Sequence, residues 1–200
     1  MLIFTSQNSY IITHIINNLS QYDISFETID ETTIKICNTN VLDLSDYIKE
    51  NVSMYFDQSE NLMKSMGFFM DELERNKKAL TSIYLEDIKV INHTCFIFMN
   101  DEKIVDISPS NTIDIDWIEK NDFNSEETKS ITTLPDEIHY KSIYQNLAYI
   151  VFYTLFGEIL SDNKLIMHNL KVNGYDDTKL YHCINRCIHP EPCKREFIWV

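Results

Sequence analysis

The sequence predicts an α+β fold in which helices carry most of the chain and strands come in short pairs. Three features predict it. Ser142 to Phe156 is uncharged and apolar almost all round, the pattern of a helix buried on most sides. Leu62, Met66, Phe69, Met70 and Leu73 fall on one helical face, while Asp71, Glu72, Glu74 and Arg75 load the other. Short strand-like runs then recur, Ile24 to Ile29 with Thr32 to Cys37 as one pair, and Ile88 to Asn92, Cys95 to Met99 and Lys103 to Val105 further on.

Taken in order, Ser9 is expected to cap a first helix, Tyr10 to Leu19, whose Ile11, Ile12, Ile15, Ile16 and Leu19 recur at helical spacing. The first strand pair follows, with Asp30-Glu31 as its turn. Ser45 reads as the N-cap of a helix from Asp46 to Phe56, with acidic residues favourably near its start. After the amphipathic helix come Ile88 to Asn92, Cys95 to Met99, a polar turn at Asn100-Asp101-Glu102, and Lys103 to Val105, read as a short hairpin between two loops. Residues 109–133 are polar and irregular, the pattern of a loop. Beyond the buried helix, short helices are expected around 161–168 and 177–188. There is no internal repeat and no low-complexity linker.

Two hundred residues suit one domain, or a domain with a small appendage. At 44% hydrophobic and 12% aromatic, with only three glycines and four prolines, the composition excludes disordered and fibrous classes. The formal net charge of −14 repels phosphate backbones and anionic membranes, so neither nucleic acid nor membrane is expected as a partner. The uncharged, almost wholly apolar stretch Ser142 to Gly157 falls short of the ~20 residues a membrane span needs. No signal peptide is read at the N-terminus, and five cysteines, an odd count, favour reduced thiols in an intracellular protein of the cytoplasm or nucleus.

Phosphoryl transfer needs an acceptor for the attacking hydroxyl's proton, a cation near the moving phosphate, and oxygen ligands that fix magnesium. The stretch Leu85-Glu86-Asp87-Ile88-Lys89-Val90-Ile91-Asn92 offers all three: Asp87 as base, Lys89 as cation and Asn92 as amide oxygen. Asp106, in Asp106-Ile107-Ser108, ends a strand expected to return beside Asn92, and a carboxylate meeting an amide there suits a hard cation. Plainer roles stand beside these. Asp87 and Asn92 also suit holding a loop's backbone amides, and Lys89 also suits open solvent.

In order and gaps these segments resemble the eukaryotic-type Ser/Thr protein kinase pattern H-R-D-x-K-x-x-N, then D-F-G, then A-P-E. The resemblance covers roughly residues 40–200 as a C-lobe. It implies that Asp87 matches the catalytic base, Lys89 the phosphate-contacting lysine, and Asn92 and Asp106 the two metal ligands. Leu134-Pro135-Asp136-Glu137 resembles the end of the activation segment, with Glu137 as its glutamate. Arg195, in Arg186-Cys187-Ile188-His189-Pro190-Glu191-Pro192-Cys193-Lys194-Arg195, is then the arginine that pairs with it. Tyr140 to Gly157 resembles the central C-lobe helix, and Leu42 to Ile48 the post-hinge segment. Residues 1–40 become a reduced N-lobe remnant, one helix and a strand pair, and 41–200 a mainly helical kinase-like C-lobe with a short β-hairpin.

The departures from that pattern are severe. Leu85 and Glu86 replace its His and Arg, Ile107 and Ser108 its Phe and Gly, and Ile143 stands where the central helix has an aspartate. The first glycine is Gly67, so there is no glycine-rich phosphate loop, and the helix at 10–19 contains no glutamate. Lys35, in Thr33-Ile34-Lys35-Ile36, superficially resembles the ATP-anchoring lysine but lies only about fifty residues before Asp87, too few for the elements that normally intervene. The resemblance therefore implies a pseudokinase, with vestigial roles for Asp87 and Lys89, acting through a protein partner or a homodimer that uses residues near 1–40. No cofactor is expected. Mg-ATP belongs to the alternative, a divergent Ser/Thr kinase or nucleotide-binding switch using Asp87, Lys89, Asn92 and Asp106. His182, Cys183, Cys187, His189 and Cys193 invite a zinc reading, but their spacing matches no compact zinc pattern, and buried small hydrophobes are the expected role of those cysteines.

Overall fold

Local chemistry sets the first forty residues. Asn8 caps the first helix, its side chain accepting the Tyr10 N–H at 3.1 Å, one residue before the expected Ser9 cap. The helix, α1 (Ser9–Gln21), buries Ile11, Ile12, Ile15 and Leu19 along one face. It is preceded by a strand the sequence reading missed, β1 (Leu2–Thr5), too short to display a period. It is followed by β2 (Phe26–Asp30) and β3 (Thr33–Ile36), whose turn is held by Asp30 accepting the Thr32 N–H at 2.8 Å. The three strands form an antiparallel sheet in the order β1-β3-β2, with Ile34 and Ile36 of the middle strand turned inward. The computed structural model describes residues 1–37, 40–114, 123 and 137–199.

The next elements are β4 (Val41–Asp43), α2 (Leu44–Asn51) and α3 (Phe56–Arg75). Asp43, not Ser45, occupies the N-cap position of α2, and that helix stops at Asn51, so Phe56 opens α3 instead of closing α2. Then come β5 (Lys78–Leu80), β6 (Ile88–Ile91), β7 (Cys95–Phe98), β8 (Ile104–Asp106), β9 (Thr112–Asp114) and β10 (Glu137–His139). Helices α4 (Ser142–Phe156), α5 (Asn163–Val172) and α6 (Lys179–Cys187) complete the order. The chain is thus α+β.

The strand pairing corrects one expectation. β6 and β7 form the hairpin, in register Ile88↔Phe98 to Ile91↔Cys95, with β4 on the other side of β6. β8 does not fold back on β7; it pairs with β5, Lys78 facing Asp106. Asn92 and His93 carry the hairpin turn at φ 50° and 66°, left-handed values that Asn and His adopt more readily than most residues. In a chain with three glycines, most such positions among the described residues fall to polar residues.

Helix α4 is the centre of the molecule, as its all-round apolar pattern predicts: Leu147, Ala148, Ile150, Val151 and Phe152 are fully buried. Gly157 ends it at φ 70°. One continuous core joins Ile11, Ile15, Ile34 and Ile36 to Leu62, Phe98, Leu147 and Leu180. A polar seam crosses it where β7 is an edge strand. His14 of α1 accepts the Phe98 N–H through Nε2 at 3.0 Å, and Ser65 of α3 donates to the Phe96 carbonyl. Both edge groups are satisfied by helices where a further strand would otherwise pair. No helix among the described residues is long and apolar enough to cross a membrane.

Candidate functional site

The loop between β5 and β6, Thr81 to Asp87, is held from three sides. The Thr81 N–H donates to the Lys103 carbonyl at 2.9 Å, and the Ile83 N–H to Asn146 Oδ1 of α4 at 2.9 Å. The Asn146 amide in turn donates to the Phe123 carbonyl at 2.9 Å. The loop ends in a single 3-10 turn, Leu85–Asp87, that hands the chain to β6.

Asp87 closes this turn. Its Oδ2 accepts the Tyr84 N–H at 3.0 Å, and its carbonyl accepts the Met99 N–H at 2.9 Å. Its Oδ1 accepts the side-chain amide of Asn100 at 2.7 Å, across the open end of the β6–β7 hairpin. The residue is 9% exposed and both carboxylate oxygens are engaged. Beside this pair, Ser6 donates to Asp101 Oδ2 at 2.6 Å, and Lys103 Nζ lies 4.8 Å over the Tyr84 ring. An acid and an amide therefore meet here, but they bond each other and the loop.

The other sequence candidates go elsewhere. Lys89 donates to Asp43, its cross-strand neighbour on β4, and to the Glu86 carbonyl at 3.2 Å. That leaves its ammonium committed to a carboxylate. Asn92 sits in the closed turn at the far end of the hairpin from Asp87, its N–H on the Asn40 carbonyl at 3.2 Å. Asp106 ends β8, is ion-paired with Lys78 at 2.7 Å, and belongs to a different sheet. The expected convergence of Asn92 and Asp106 on one cation is therefore corrected, because the ribbon expected to bring them together pairs with other strands.

The Glu137 carboxylate takes the Thr112 hydroxyl, and no ion pair among the described residues joins it to Arg195. Arg195, 1% exposed, donates its Nε to the His189 carbonyl at 2.8 Å, holding the turn after α6. Leu134, Pro135 and Asp136 lie outside the described residues, as does most of the loop expected over 109–133. Cys183 and Cys187 are fully buried; the Cys183 hydrogen bond, then burial, push the Cys187 thiol up. Cys193 is exposed, and His189 Nδ1 accepts the Glu191 N–H at 3.0 Å. Among the described residues no three His, Cys, Asp or Glu side chains gather as a metal site needs.

Two residues that shape the site were missed from sequence. Asn100 looked like part of a polar turn. Asn146 did leave a signal, since an amide inside a helix apolar all round needs partners. From α4, three residues beyond Ile143, it fixes the backbone of the 81–87 loop. Comparison with known proteins finds no family model that matches this chain and no matching curated protein.

Proposed function

We propose that this chain is a pseudokinase-type protein that transfers no phosphate and works by binding another protein. The observation that carries the reading is the Asp87–Asn100 bond across the open end of the β6–β7 hairpin. In the kinase pattern an amide precedes such a hairpin and an acid follows it. Here the two have traded places and satisfy each other. Aligning the pattern's asparagine with Asp87 assigns its catalytic base, five residues earlier, to Ser82, whose side chain is fully buried. Asn146, bonded to the loop backbone from the buried helix, supports the same register. Groups of a phosphoryl-transfer site act as a unit, so replacing the base and exchanging the ligands removes most of the rate together.

The alternative, a divergent kinase or nucleotide switch using Asp87, Lys89, Asn92 and Asp106, needs those four side chains to converge. Lys89 is bonded to Asp43, Asn92 lies in the far turn and Asp106 pairs with Lys78. The test is thermal unfolding with millimolar ATP, with and without Mg²⁺, on the wild type and Asp87→Ala. A ligand at about 100 times its Kd adds about 2.7 kcal/mol, so even micromolar binding registers. The expected result is no magnesium-dependent shift. A rise that Asp87→Ala abolishes would overturn the proposal.

A further inference from the structure

Between α2 and α3 the backbone adopts a conformation that its sequence disfavours. Val52 sits at φ 67°, ψ −45°, and the Ser53 N–H donates to the Asn51 carbonyl at 2.7 Å. This is a γ-turn of the strained hand, with a β-branched residue at its centre. Such strain persists only where the surroundings impose it. Here the Val52 N–H donates to the Ile48 carbonyl at 2.7 Å, and the Met54 N–H to the Thr154 carbonyl at 2.6 Å near the end of α4. A Cβ on Gly157 would lie 3.2 Å from the Val52 carbonyl, so loop and helix end are closely fitted.

The side chain gains no burial from this arrangement. Val52 is 75% exposed and Tyr55, three residues on, is 79% exposed. Ile159, two residues beyond Gly157, is 49% exposed. Three large apolar groups therefore face solvent around one end of α4, on a backbone held rigid beneath them.

Charge selects the occupant. The stretches 50–57 and 157–162 contain Glu50, Asp57, Glu158 and Asp162 and no lysine or arginine. The flanking Lys49 is bound to Asp46 at 2.9 Å. A second copy of the chain would bring the same acids against these, and an anionic surface would be repelled. We propose that this end of the molecule docks a basic segment of a partner protein, an apolar side chain flanked by lysine or arginine seating among Val52, Tyr55 and Ile159. This rests on the interaction-protein reading and gives it a surface and a partner chemistry.

The test is an amide-shift titration of the ¹⁵N-labelled chain with two synthetic peptides, Arg-Arg-Leu-Phe-Arg-Arg and Glu-Glu-Leu-Phe-Glu-Glu. The basic peptide is expected to shift residues 51–57 and 157–160 saturably, more weakly as salt rises. Tyr55→Ala and Ile159→Ser are each expected to weaken it by about tenfold or more. Two variants are used because Tyr55 also occupies the N-cap position of α3, whereas Ile159 caps nothing. Absence of saturable shifts in this region, equal binding of the acidic peptide, or unchanged affinity in Ile159→Ser would overturn the proposal. So would dimerisation by sedimentation that Ile159→Ser abolishes, since the occupant would then be a second copy. A magnesium-dependent nucleotide shift would defeat the pseudokinase reading while this titration, which contains no nucleotide, still reports on the docking surface.

Discussion

His14 shows how a single residue couples this fold to pH. Its Nε2 accepts the Phe98 N–H, so the ring is neutral, and it lies 4.3 Å from the Phe69 ring. Burial lowers its pKa from 6.5 to about 3. The unfolded chain takes up the proton near pH 6.5, while the folded chain resists until about 3. The stabilisation is therefore complete above the higher value and is lost as pH falls through that window, by about 1.4 kcal/mol per unit. Urea unfolding between pH 7 and 4.5 is expected to give a steeper loss for the wild type than for His14→Gln; equal slopes would contradict the assignment. Little of this was legible in sequence, where His14 is one polar residue in an isoleucine-rich helix. Lys89 was equally opaque, because its partner Asp43 lies 46 residues away. Asn146 was legible in principle, since its helix offers an amide no local partner.

At the scale of elements, periodicity carried the reading wherever one face or all faces were buried. Helix α4 was anticipated to its end residues, and α1, β2, β3 and the body of α3 to within a few. In the β6–β8 region the strands themselves were placed to within a residue or two, but not the partner of β8. The polar run Asn100-Asp101-Glu102 reads as a hairpin turn, yet it carries β8 away to β5, a partner about 25 residues earlier that no local pattern announces. Gly67 was read only as evidence against a phosphate loop, yet its place in α3 has a packing cause. A Cβ there would fall 2.1 Å from the Phe197 ring, which meets Phe68 edge-on and stacks on Trp199. Helix propensity alone would make Gly67→Ala favourable by about 1 kcal/mol. Displacement of the packed C-terminal segment is expected to reverse that sign and cost about 1–3 kcal/mol. Urea unfolding gives the stability, and Trp199 fluorescence reports release of the segment. A more stable variant with unchanged emission would contradict the packing argument.

Over the whole molecule, one core unites residues from the first forty with those of the α4 neighbourhood, and the α+β class follows from patterning alone. The candidate site was legible as a neighbourhood but not as a set of contacts. Asp87 belongs to it, whereas Asn92, Asp106 and Lys89 serve a turn and two ion pairs. Residue types and spacing locate polar loops, but pairing between distant strands decides which side chains meet. The central claim is that the Asp87–Asn100 contact closes the loop as a structural bond and does not hold magnesium. A double-mutant cycle of Asp87→Ala, Asn100→Ala and the pair, followed by urea unfolding in EDTA and again with Mg²⁺ and ATP, tests it most directly. The expected result is a coupling energy of about 1–2 kcal/mol that is the same in both conditions. No coupling in EDTA, or a stabilisation by magnesium and ATP that either substitution removes, would contradict it.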